Sequence, residues 1–592
     1  MFLKCHRRFK NGKEHRYWSI VESRRCTGGK VLPRPVLYLG EINDSQRESW
    51  CRTIEAFDPL GDRTLPLAIF PADRPLPEHA AGFGVQVHLE RMELHRPRQW
   101  GGCWLACQLY EQLGLDRFWA ERLPDSREGT CWRHILQTLV CYRLLDPGSE
   151  WRLHRLWFAH SAMGDLLGAD AALVEKNALY RTLDKVLEHK PALFGHLQER
   201  WRDLFGAQFD VLLYDLTSTY FESVPPEDET DKRRFGHSRD KRPDCVQVVI
   251  ALIVTPEGFP LAYEVMPGNT ADKTTLKAFL QKIETQYGKA QRIWVMDRGI
   301  PTEAVLEQMR HSQPPVFYLV GTPKGRLKKL EAQLLSLDWQ AVRPGVDVKL
   351  LPHRQELYVL ARSRDRVNKE RAMRQRRLKA LCKRLAKLRQ MALTPRQLLL
   401  KLGEARGRYR AAWRLLDLQM PPAGTSKPAR FSFRLNRAKL RAARRREGRY
   451  LLRTNLCGRD PAQLWQFYIQ LTEIEAAFKN LKDDLSLRPI HHQLEHRVEA
   501  HIFVAFIAYC LHVSLRARLR PLAGGLTPRA VLDKFAAMQM LDVHFPTADG
   551  RVLILSRYTQ PELDQKILLE RLGLRLPTQP PPRITAAGKL LD

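Results

Sequence analysis

Three carboxylates fall where they could hold metal ions. Asp215 and Asp297 each occupy an apolar run that favours a buried strand, FDVLLYDLTSTYF and RIWVMDRG, and Glu475 lies in the segment LWQFYIQLTEIEAAFKNLK, residues 464–482. A desolvated carboxylate has to be paired or bound to a metal. Three that converge would bind Mg²⁺ or Mn²⁺, because these ions prefer hard oxygen ligands. Two such ions can activate a hydroxyl and stabilise the leaving oxygen of a phosphodiester.

The segment around Glu475 has the pattern of an amphipathic helix. Asp460 is placed to cap it, and Pro461 occupies its first position. Its expected buried stripe consists of Leu464, Phe467, Leu471, Ile474, Phe478 and Leu481. Tyr468, Glu475 and Lys482 recur every seven residues, nearly two helical turns, so they are expected to share one half-buried face beside that stripe. The alternative for Glu475 and Lys482 is an ordinary surface position.

The elements that must position the aspartates alternate between strands and helices from Phe209 onward. The strand with Asp215 is followed by a predicted hairpin, a helix beginning near Asp272, a strand that ends at Asp297, another helix and a fifth strand, PVFYLVGTPKG. This order predicts a mixed α/β sheet with helices on its faces. A single aspartate in a strand is more often a structural hydrogen-bonding residue, but two on adjacent strands favour a site.

The length of 592 residues predicts several modules. The expected limits are a small N-terminal β hairpin unit at 1–75, a helical module that could dock on DNA at 95–206, the first part of the sheet core at 207–324, a basic insertion at 325–455, the glutamate helix with a closing helix at 456–520, and a C-terminal tail region at 521–592. Within the insertion, NKERAMRQRRLKALCKRLAKLRQ predicts a basic helix suited to phosphate contact.

The charge of the chain indicates a polyanionic partner. There are 97 Lys and Arg against 65 Asp and Glu, a formal net charge of +32, and such a field attracts nucleic acid. A basic ribosome-associated or membrane-surface protein is the other class that fits this charge.

The start MFLKCHRRFK lacks a signal segment. The apolar run at 502–511 is far shorter than the about 20 residues that span a bilayer, so we expect a buried helix and no membrane insertion. The eleven scattered cysteines predict a reduced, cytoplasmic chain.

A second metal motif offers an alternative. His492, Glu495 and His496 in HHQLEH match the His-x-x-Glu-His pattern of zinc peptidases. On a helix, His492 and His496 would face one side and could share a zinc ion. That reading leaves the basic charge and the paired aspartates unexplained. The chain has no Gly-x-x-x-x-Gly-Lys-Ser/Thr loop and no Gly-x-Ser-x-Gly elbow.

Five ordered motifs give the chain a resemblance to a known family. They are YDLTSTYFE, GHSRDKRPD, GFPLAYEVMPGNTADKTTL, VMDRG and the helix at 468–482. Together they resemble the DDE transposases of bacterial insertion sequences, in the branch with a Tyr-x2-Arg-x3-Glu-x6-Lys signature. The resemblance implies an RNase H-like catalytic core with an insertion between its fifth strand and the glutamate helix. It also implies that Asp215, Asp297 and Glu475 are the catalytic triad that binds Mg²⁺ or Mn²⁺.

The resemblance further assigns contacts with DNA. Tyr468 and Lys482 match signature positions that contact DNA near the cleaved end, whereas Leu471 stands where the signature has Arg. The missing phosphate contact would come from elsewhere, with Arg298 and Lys324 as candidates. The implied activity is binding of terminal inverted repeats, hydrolytic cleavage and attack of the freed 3′-hydroxyl on target DNA, by a homodimer on double-stranded DNA. A derivative that binds without cutting and a general RNase H-type nuclease are the alternatives.

Overall fold

The computed structural model describes most of the chain beyond residue 83 and, before it, five strands. The described residues are 2–10, 13–25, 31–41, 54–58, 63–71, 84–169, 171–240, 242–271, 281, 292–297, 300–322, 330, 333–334, 336–419, 431–488 and 490–585. The start of the helix predicted near Asp272 lies outside these residues, as do Arg298 and Lys324.

Strands and helices are numbered in chain order. The strands are β1 (Phe2–Lys10), β2 (Lys13–Arg25), β3 (Val31–Glu41), β4 (Ile54–Asp58), β5 (Arg63–Pro71), β6 (Gly84–Val87), β7 (Glu93–Gln99), β8 (Val211–Phe221), β9 (Val246–Val254), β10 (Pro260–Pro267), β11 (Ile293–Met296), β12 (Phe317–Gly321), β13 (Gln340–Arg343), β14 (Val346–His353), β15 (Glu356–Ser363), β16 (Leu416–Gln419), β17 (Ser432–Leu435), β18 (Arg449–Thr454), β19 (Gln539–Pro546), β20 (Val552–Tyr558) and β21 (Arg583–Ile584). The helices are α1 (Gly101–Gln112), α2 (Leu115–Arg122), α3 (Trp132–Leu145), α4 (Met163–Leu167), α5 (Lys176–Val186), α6 (Lys190–Phe205), α7 (Glu303–His311), α8 (Arg364–Gln390), α9 (Pro395–Arg408), α10 (Arg410–Trp413), α11 (Arg437–Arg445), α12 (Pro461–Ile469), α13 (Leu471–Lys479), α14 (Glu495–Leu519), α15 (Pro528–Phe535) and α16 (Leu563–Arg571).

The chain divides into two units, each made of separate stretches of sequence. The first unit comprises Met1–Ala207, Ser218–Val248 and Ala476–Asp592, and the second comprises Gln208–Thr217 and Val249–Glu475. Asp215, Asp297 and Glu475 therefore all belong to the second unit, whereas Lys482 belongs to the first.

A nine-stranded sheet carries the two aspartates. Its order is β10-β9-β8-β11-β12-β18-β15-β14-β13, and β11 runs parallel to both β8 and β12. Every residue of β9 and β11 is buried, which accounts for their uninterrupted apolar sequences. The first five strands in this order are the five that the sequence predicts, with α7 between β11 and β12, so the predicted mixed α/β sheet is confirmed.

The sheet is wider than the sequence predicts. β18, β15, β14 and β13 continue it beyond β12 in antiparallel pairing, and all four come from segment 325–455. The sequence VDVKLLPHRQELYVLARSR predicts strands here, but it does not predict their partner. The edge that a strand joins is decided by tertiary packing rather than by local preference.

The basic helix predicted in the insertion is confirmed as α8, which has 27 residues. Only its Leu381, Leu385 and Leu388 are buried, because the rest of the helix is largely Arg, Lys and other polar residues. These leucines pack with α9 in a small hydrophobic cluster whose other buried members are Leu393, Leu398, Leu402, Ala405, Ala412, Leu416 and Phe431. The insertion thus has a core of its own that supports an exposed basic helix.

The first unit combines helices with two sheets. The segment predicted to be helical at 95–206 contains α1 to α6, and the predicted N-terminal hairpin is present as β2 and β3, with β1 added alongside. A seven-stranded sheet has the order β6-β5-β4-β21-β20-β19-β7. Residues 521–592, for which the sequence predicts only a tail region, contribute α15, α16 and three of these strands. Strand β19 of this C-terminal segment pairs with β7, and no local sequence pattern predicts that pairing.

Helix α14 forms the centre of the first unit. It is long and apolar enough to cross a membrane by composition, but 94% of its most apolar window is buried inside the protein. Residues 502–511, for which the sequence predicts a buried helix, lie within it and are all buried. A core helix explains this apolar composition.

Two buried histidines on α14 make the folded chain sensitive to acid. Burial lowers the pKa of His501 to about 4, and the charge of Arg143 acts in the same direction. Burial likewise lowers the pKa of His512 to about 4, with Arg516 adding to the effect. Both side chains stay neutral in the folded state between pH 6.5 and 4, where the unfolded chain binds protons. Stability is therefore complete above about pH 6.5 and falls as the pH drops toward about 4.

Replacing His512 by Phe is expected to flatten this pH dependence. The substitution removes one titrating group and keeps an aromatic ring beside Tyr509, which His512 stacks on at 6.3 Å. We expect the loss of unfolding free energy between pH 6.5 and 4 to shrink by roughly 3 kcal/mol, measured from thermal unfolding across that range. The same change at the exposed His160 is the control. An identical pH profile in both variants would contradict the assignment.

Candidate active site

Asp215 lies on β8, and the parallel neighbour of that strand, β11, ends just before Asp297. β8 pairs with β11 so that Val211 lies beside Ile293 and Tyr214 beside Met296, and this register, continued by one position, brings Asp215 level with Asp297. Side chains at matching positions of adjacent strands point to the same face, with the strands about 4.8 Å apart. Asp215 is half-buried within β8, and Asp297 is exposed directly after β11. The register of two strands therefore sets the two aspartates side by side.

The predicted glutamate helix is divided into three pieces. α12 and α13 are separated at Gln470, and a π-helical turn follows at Asn480–Asp484. The predicted stripe is buried apart from the half-buried Phe467. Glu475 is exposed, so the prediction of a half-buried position is wrong for it. Ala477 is fully buried as well, which centres the buried face roughly 100° of helix rotation away from Glu475.

Tyr468 lies in an aromatic cluster. Its ring centroid is 5.6 Å from that of Tyr450 and 6.0 Å from that of Trp465, and the guanidinium of Arg366 lies 4.6 Å from the Tyr450 ring. Burial raises the pKa of Tyr450, and the charge of Arg366 opposes this rise. The negative charge of Glu475 also raises the pKa of Tyr450. Glu475 is thus within electrostatic reach of an aromatic cluster that also carries a guanidinium.

Lys482 is held in an ion pair. Its Nζ donates to Oδ1 of Asp240 at 2.8 Å, and its side chain is only 11% exposed. Burial lowers the pKa of Lys482, Asp240 opposes this shift, and Arg488 and Arg239 add to it. Asp240 belongs to the motif GHSRDKRPD, but it lies 242 positions from Lys482, so no spacing rule predicts the pair.

The convergence of the three carboxylates stays a prediction. Among the described residues, one group of three metal-ligating side chains has its ligand atoms within 4.8 Å of one another, and it consists of Glu150, His492 and His501. Asp215, Asp297 and Glu475 do not form such a group in the described part of the chain. Asp215 lies on β8 and Asp297 directly follows the neighbouring β11, while the exposed Glu475 lies on a separate helix.

The arrangement that a zinc peptidase needs is not formed. α14 begins at Glu495, so His492 precedes the helix and does not share a helical face with His496. His496 lies 2.9 Å from Asp184 instead, and Glu495 lies 3.7 Å from Lys232. The zinc-peptidase alternative is therefore wrong, because the motif's regular spacing is not realised on one helix.

His492 belongs instead to a buried ionic cluster. Its Nε2 lies 3.3 Å from Oε1 of Glu150, His501 Nδ1 lies 3.6 Å from the same oxygen, and Arg143 lies 3.5 Å from His501 Nδ1. Burial opposes ionisation of Glu150, but the interactions with His492 and His501 outweigh it and hold the pKa of Glu150 well below its usual value. A guanidinium this close disfavours a divalent cation, so we interpret the cluster as a structural ion-pair network. Its members are up to 358 positions apart, beyond the reach of sequence spacing.

Two ranges of the chain match family models. Residues 208–511, just over half of the chain, match the model described as a transposase DDE domain, and residues 3–59 match the N-terminal domain of IS1634 family transposases. No curated protein matches the sequence. One matching solved structure is the cryo-EM structure of the piggyBac transposase synaptic complex with hairpin DNA, at 9% identity and a TM-score of 0.32, with 73% of this chain and 79% of that chain covered. The range 208–511 contains all three predicted carboxylates.

Proposed function

The chain belongs to the DDE transposases of bacterial insertion sequences, and from this premise we propose that it binds the terminal inverted repeats of an insertion element, cuts the DNA there and joins the freed 3′-hydroxyl to target DNA. The observation that carries the proposal is the parallel pairing of β8, which contains Asp215, with β11, which Asp297 directly follows, in the RNase H-like sheet within the matched range. Glu475 supplies the third carboxylate, at the position that the family signature assigns.

The donor set fits divalent cations. Asp215, Asp297 and Glu475 offer carboxylate oxygens, the hard ligands that Mg²⁺ and Mn²⁺ prefer. Asp297 and Glu475 are exposed, so their side chains have room to turn toward a shared ligand. When bound, such ions activate the attacking hydroxyl and stabilise the leaving oxygen of the phosphodiester. We propose Mg²⁺ as the cofactor, with Mn²⁺ as a substitute.

Residues outside the triad bind and orient the DNA in this proposal. Tyr468 and Lys482 contact the DNA near the cleaved end, and Arg298 and Lys324 remain candidates for phosphate contacts. The exposed basic side chains of α8 attract the backbone at longer range, which fits the formal charge of +32. Catalysis then rests on positioning and charge neutralisation, without a covalent protein intermediate.

We further propose that the protein acts as a homodimer that bridges two DNA ends. We propose that it does so in the cytoplasm, in association with the nucleoid.

A derivative that binds DNA without cutting it is the second candidate. The observation that favours it is that Asp215, Asp297 and Glu475 do not form a group of metal-ligating atoms within 4.8 Å among the described residues. The retention of all three carboxylates at the assigned positions supports the active enzyme instead. Cleavage, rather than binding, separates these two candidates.

The test uses the purified full chain and a labelled duplex that carries the terminal repeat, taken from the DNA that flanks the gene. We expect Mg²⁺ to produce a nick with a 3′-hydroxyl at the repeat boundary, and EDTA to abolish it. Ca²⁺, which tolerates irregular coordination, is expected to support binding with little cutting. A scrambled duplex of the same length is the control. Binding without nicks in either Mg²⁺ or Mn²⁺ would contradict the proposed activity and favour the second candidate.

A further inference from the structure

Lys482 and a second basic side chain both contact the carboxylate of Asp240. The Nζ of Lys482 and the Nη1 of Arg488 both contact Oδ1 of Asp240, at 2.8 and 2.5 Å. Arg239 lies near enough for its charge to act on Lys482. Asp240 is 8% exposed, so its charge is largely shielded from water by these neighbours. One carboxylate contacts two cations, with the charge of Arg239 close by, and the cluster keeps an excess of positive charge.

The backbone that carries this cluster is fixed by buried contacts. The π-helical turn Asn480–Asp484 is followed by Ser486, which has a φ of +41°. Its carbonyl accepts a hydrogen bond from Nη1 of the buried Arg143 at 3.2 Å, and the flanking Leu485 and Leu487 are each 1% exposed. π-helical turns and a positive φ at a residue other than glycine are costly and cluster at functional sites. The turn returns the chain so that Arg488 meets the same oxygen as Lys482.

Arg488 has N–H groups that donate no hydrogen bond to the described residues. Its second terminal nitrogen, Nη2, lies 3.8 Å from the exposed Asp483, beyond hydrogen-bond distance, and its guanidinium lies 6.0 Å from the ring of Tyr220. A guanidinium has five N–H groups in a planar fork that matches the oxygens of a phosphate. The side chain is 27% exposed, so an anion can reach it from solvent.

We propose that Lys482 and Arg488 bind one backbone phosphate of the element end, and that Asp240 occupies this site as a counter-ion until DNA displaces it. The proposal rests on the function proposed above. It assigns to Arg488 the phosphate contact that is lost where Leu471 replaces the signature arginine. Leu471 itself is 8% exposed and belongs to the core, so it cannot provide such a contact.

The test compares how DNA binding depends on salt in single variants of the full chain. Fluorescence anisotropy is recorded without divalent ions on the terminal-repeat duplex and on its scrambled counterpart. Arg488→Ala is expected to weaken binding about tenfold at moderate salt, as for loss of a charge-assisted hydrogen bond, and to lower the slope of log K against log salt by about 0.9. Asp240→Asn is expected to tighten binding on both duplexes, because it removes the competing negative charge.

Arg497→Ala is the matched control, since Arg497 is also 27% exposed and paired, with Asp184 at 2.7 Å. Its slope is expected to equal that of the wild type. Arg488→Lys keeps the charge and is expected to keep the slope, which separates charge loss from misfolding. Equal slopes for Arg488→Ala and Arg497→Ala, or weaker binding by Asp240→Asn, would overturn the inference. A wild type that binds but does not cut in Mg²⁺ would overturn the proposed function alone, because these slopes do not depend on cleavage.

Discussion

Replacing Asp297 by Asn is expected to slow cleavage of the element end by on the order of a thousandfold, because a metal site contributes several kcal/mol of charge stabilisation to the transition state. Asp215→Asn and Glu475→Gln are expected to have effects of the same size. Each substitution keeps the shape of the side chain and removes one negative charge from the proposed site. DNA affinity is expected to be kept or slightly raised, since none of the basic residues is changed. Single-turnover cleavage in Mg²⁺ and anisotropy in Ca²⁺ measure the two quantities separately.

Glu473→Gln is the matched control for Glu475→Gln. Glu473 lies on the same helix, α13, two positions earlier and therefore roughly 200° around it. Its replacement changes the net charge equally, but we expect a cleavage rate close to that of the wild type. If any one of the three triad variants cuts as fast as Glu473→Gln, the assignment of that carboxylate is wrong.

The strands of the core could be predicted because burial on both faces leaves a clear mark in the sequence. β9 and β11 consist of buried residues throughout, and the hairpin and helices between them follow turn and capping signals. For the strands beyond β12, the sequence predicts that they are strands but not where they lie in the sheet. Their place in the sheet depends on partners such as β18, which lies about a hundred residues after β14 in the chain, and local preference carries no information about such partners.

The candidate site could be predicted in part for the same reason. The strands that carry or precede Asp215 and Asp297 were predicted from their apolar sequences, and the structure pairs these two strands in parallel. The heptad argument for Glu475 assumes an unbroken helix, whereas the structure has a break at Gln470 and a π-helical turn around Lys482. Such a turn arises from tertiary contacts, including the hydrogen bond between Arg143 and Ser486. The contact of Lys482 with Asp240 likewise depends on tertiary packing, because the two residues lie 242 positions apart in the chain.

A buried ionic network joins the core strands to those of the insertion. Arg453 lies on β18, between β12 and β15, and its Nε donates to Glu356 on β15 at 2.7 Å. Its Nη1 donates to Glu303 at the start of α7, also at 2.7 Å. Arg310 donates to Glu356 at 2.8 Å, and the hydroxyl of Tyr318 on β12 donates to the same carboxylate. Arg453 and Glu356 are each 8% exposed, so each depends on the other for its charge to be tolerated.

Arg453→Met is expected to destabilise the second unit by about 3–5 kcal/mol, because it removes one of the two guanidinium groups that neutralise the buried carboxylate of Glu356. For a unit of this size, that loss lowers the unfolding midpoint by about 10 °C, which thermal unfolding or limited proteolysis would detect. Arg362→Met is the matched control, since Arg362 lies on the same sheet and pairs with Asp347 at 2.7 Å but is 41% exposed, and its loss is expected to cost less than about 1 kcal/mol. Equal midpoints for the two single variants would show that the insertion strands are held to the core by apolar packing instead.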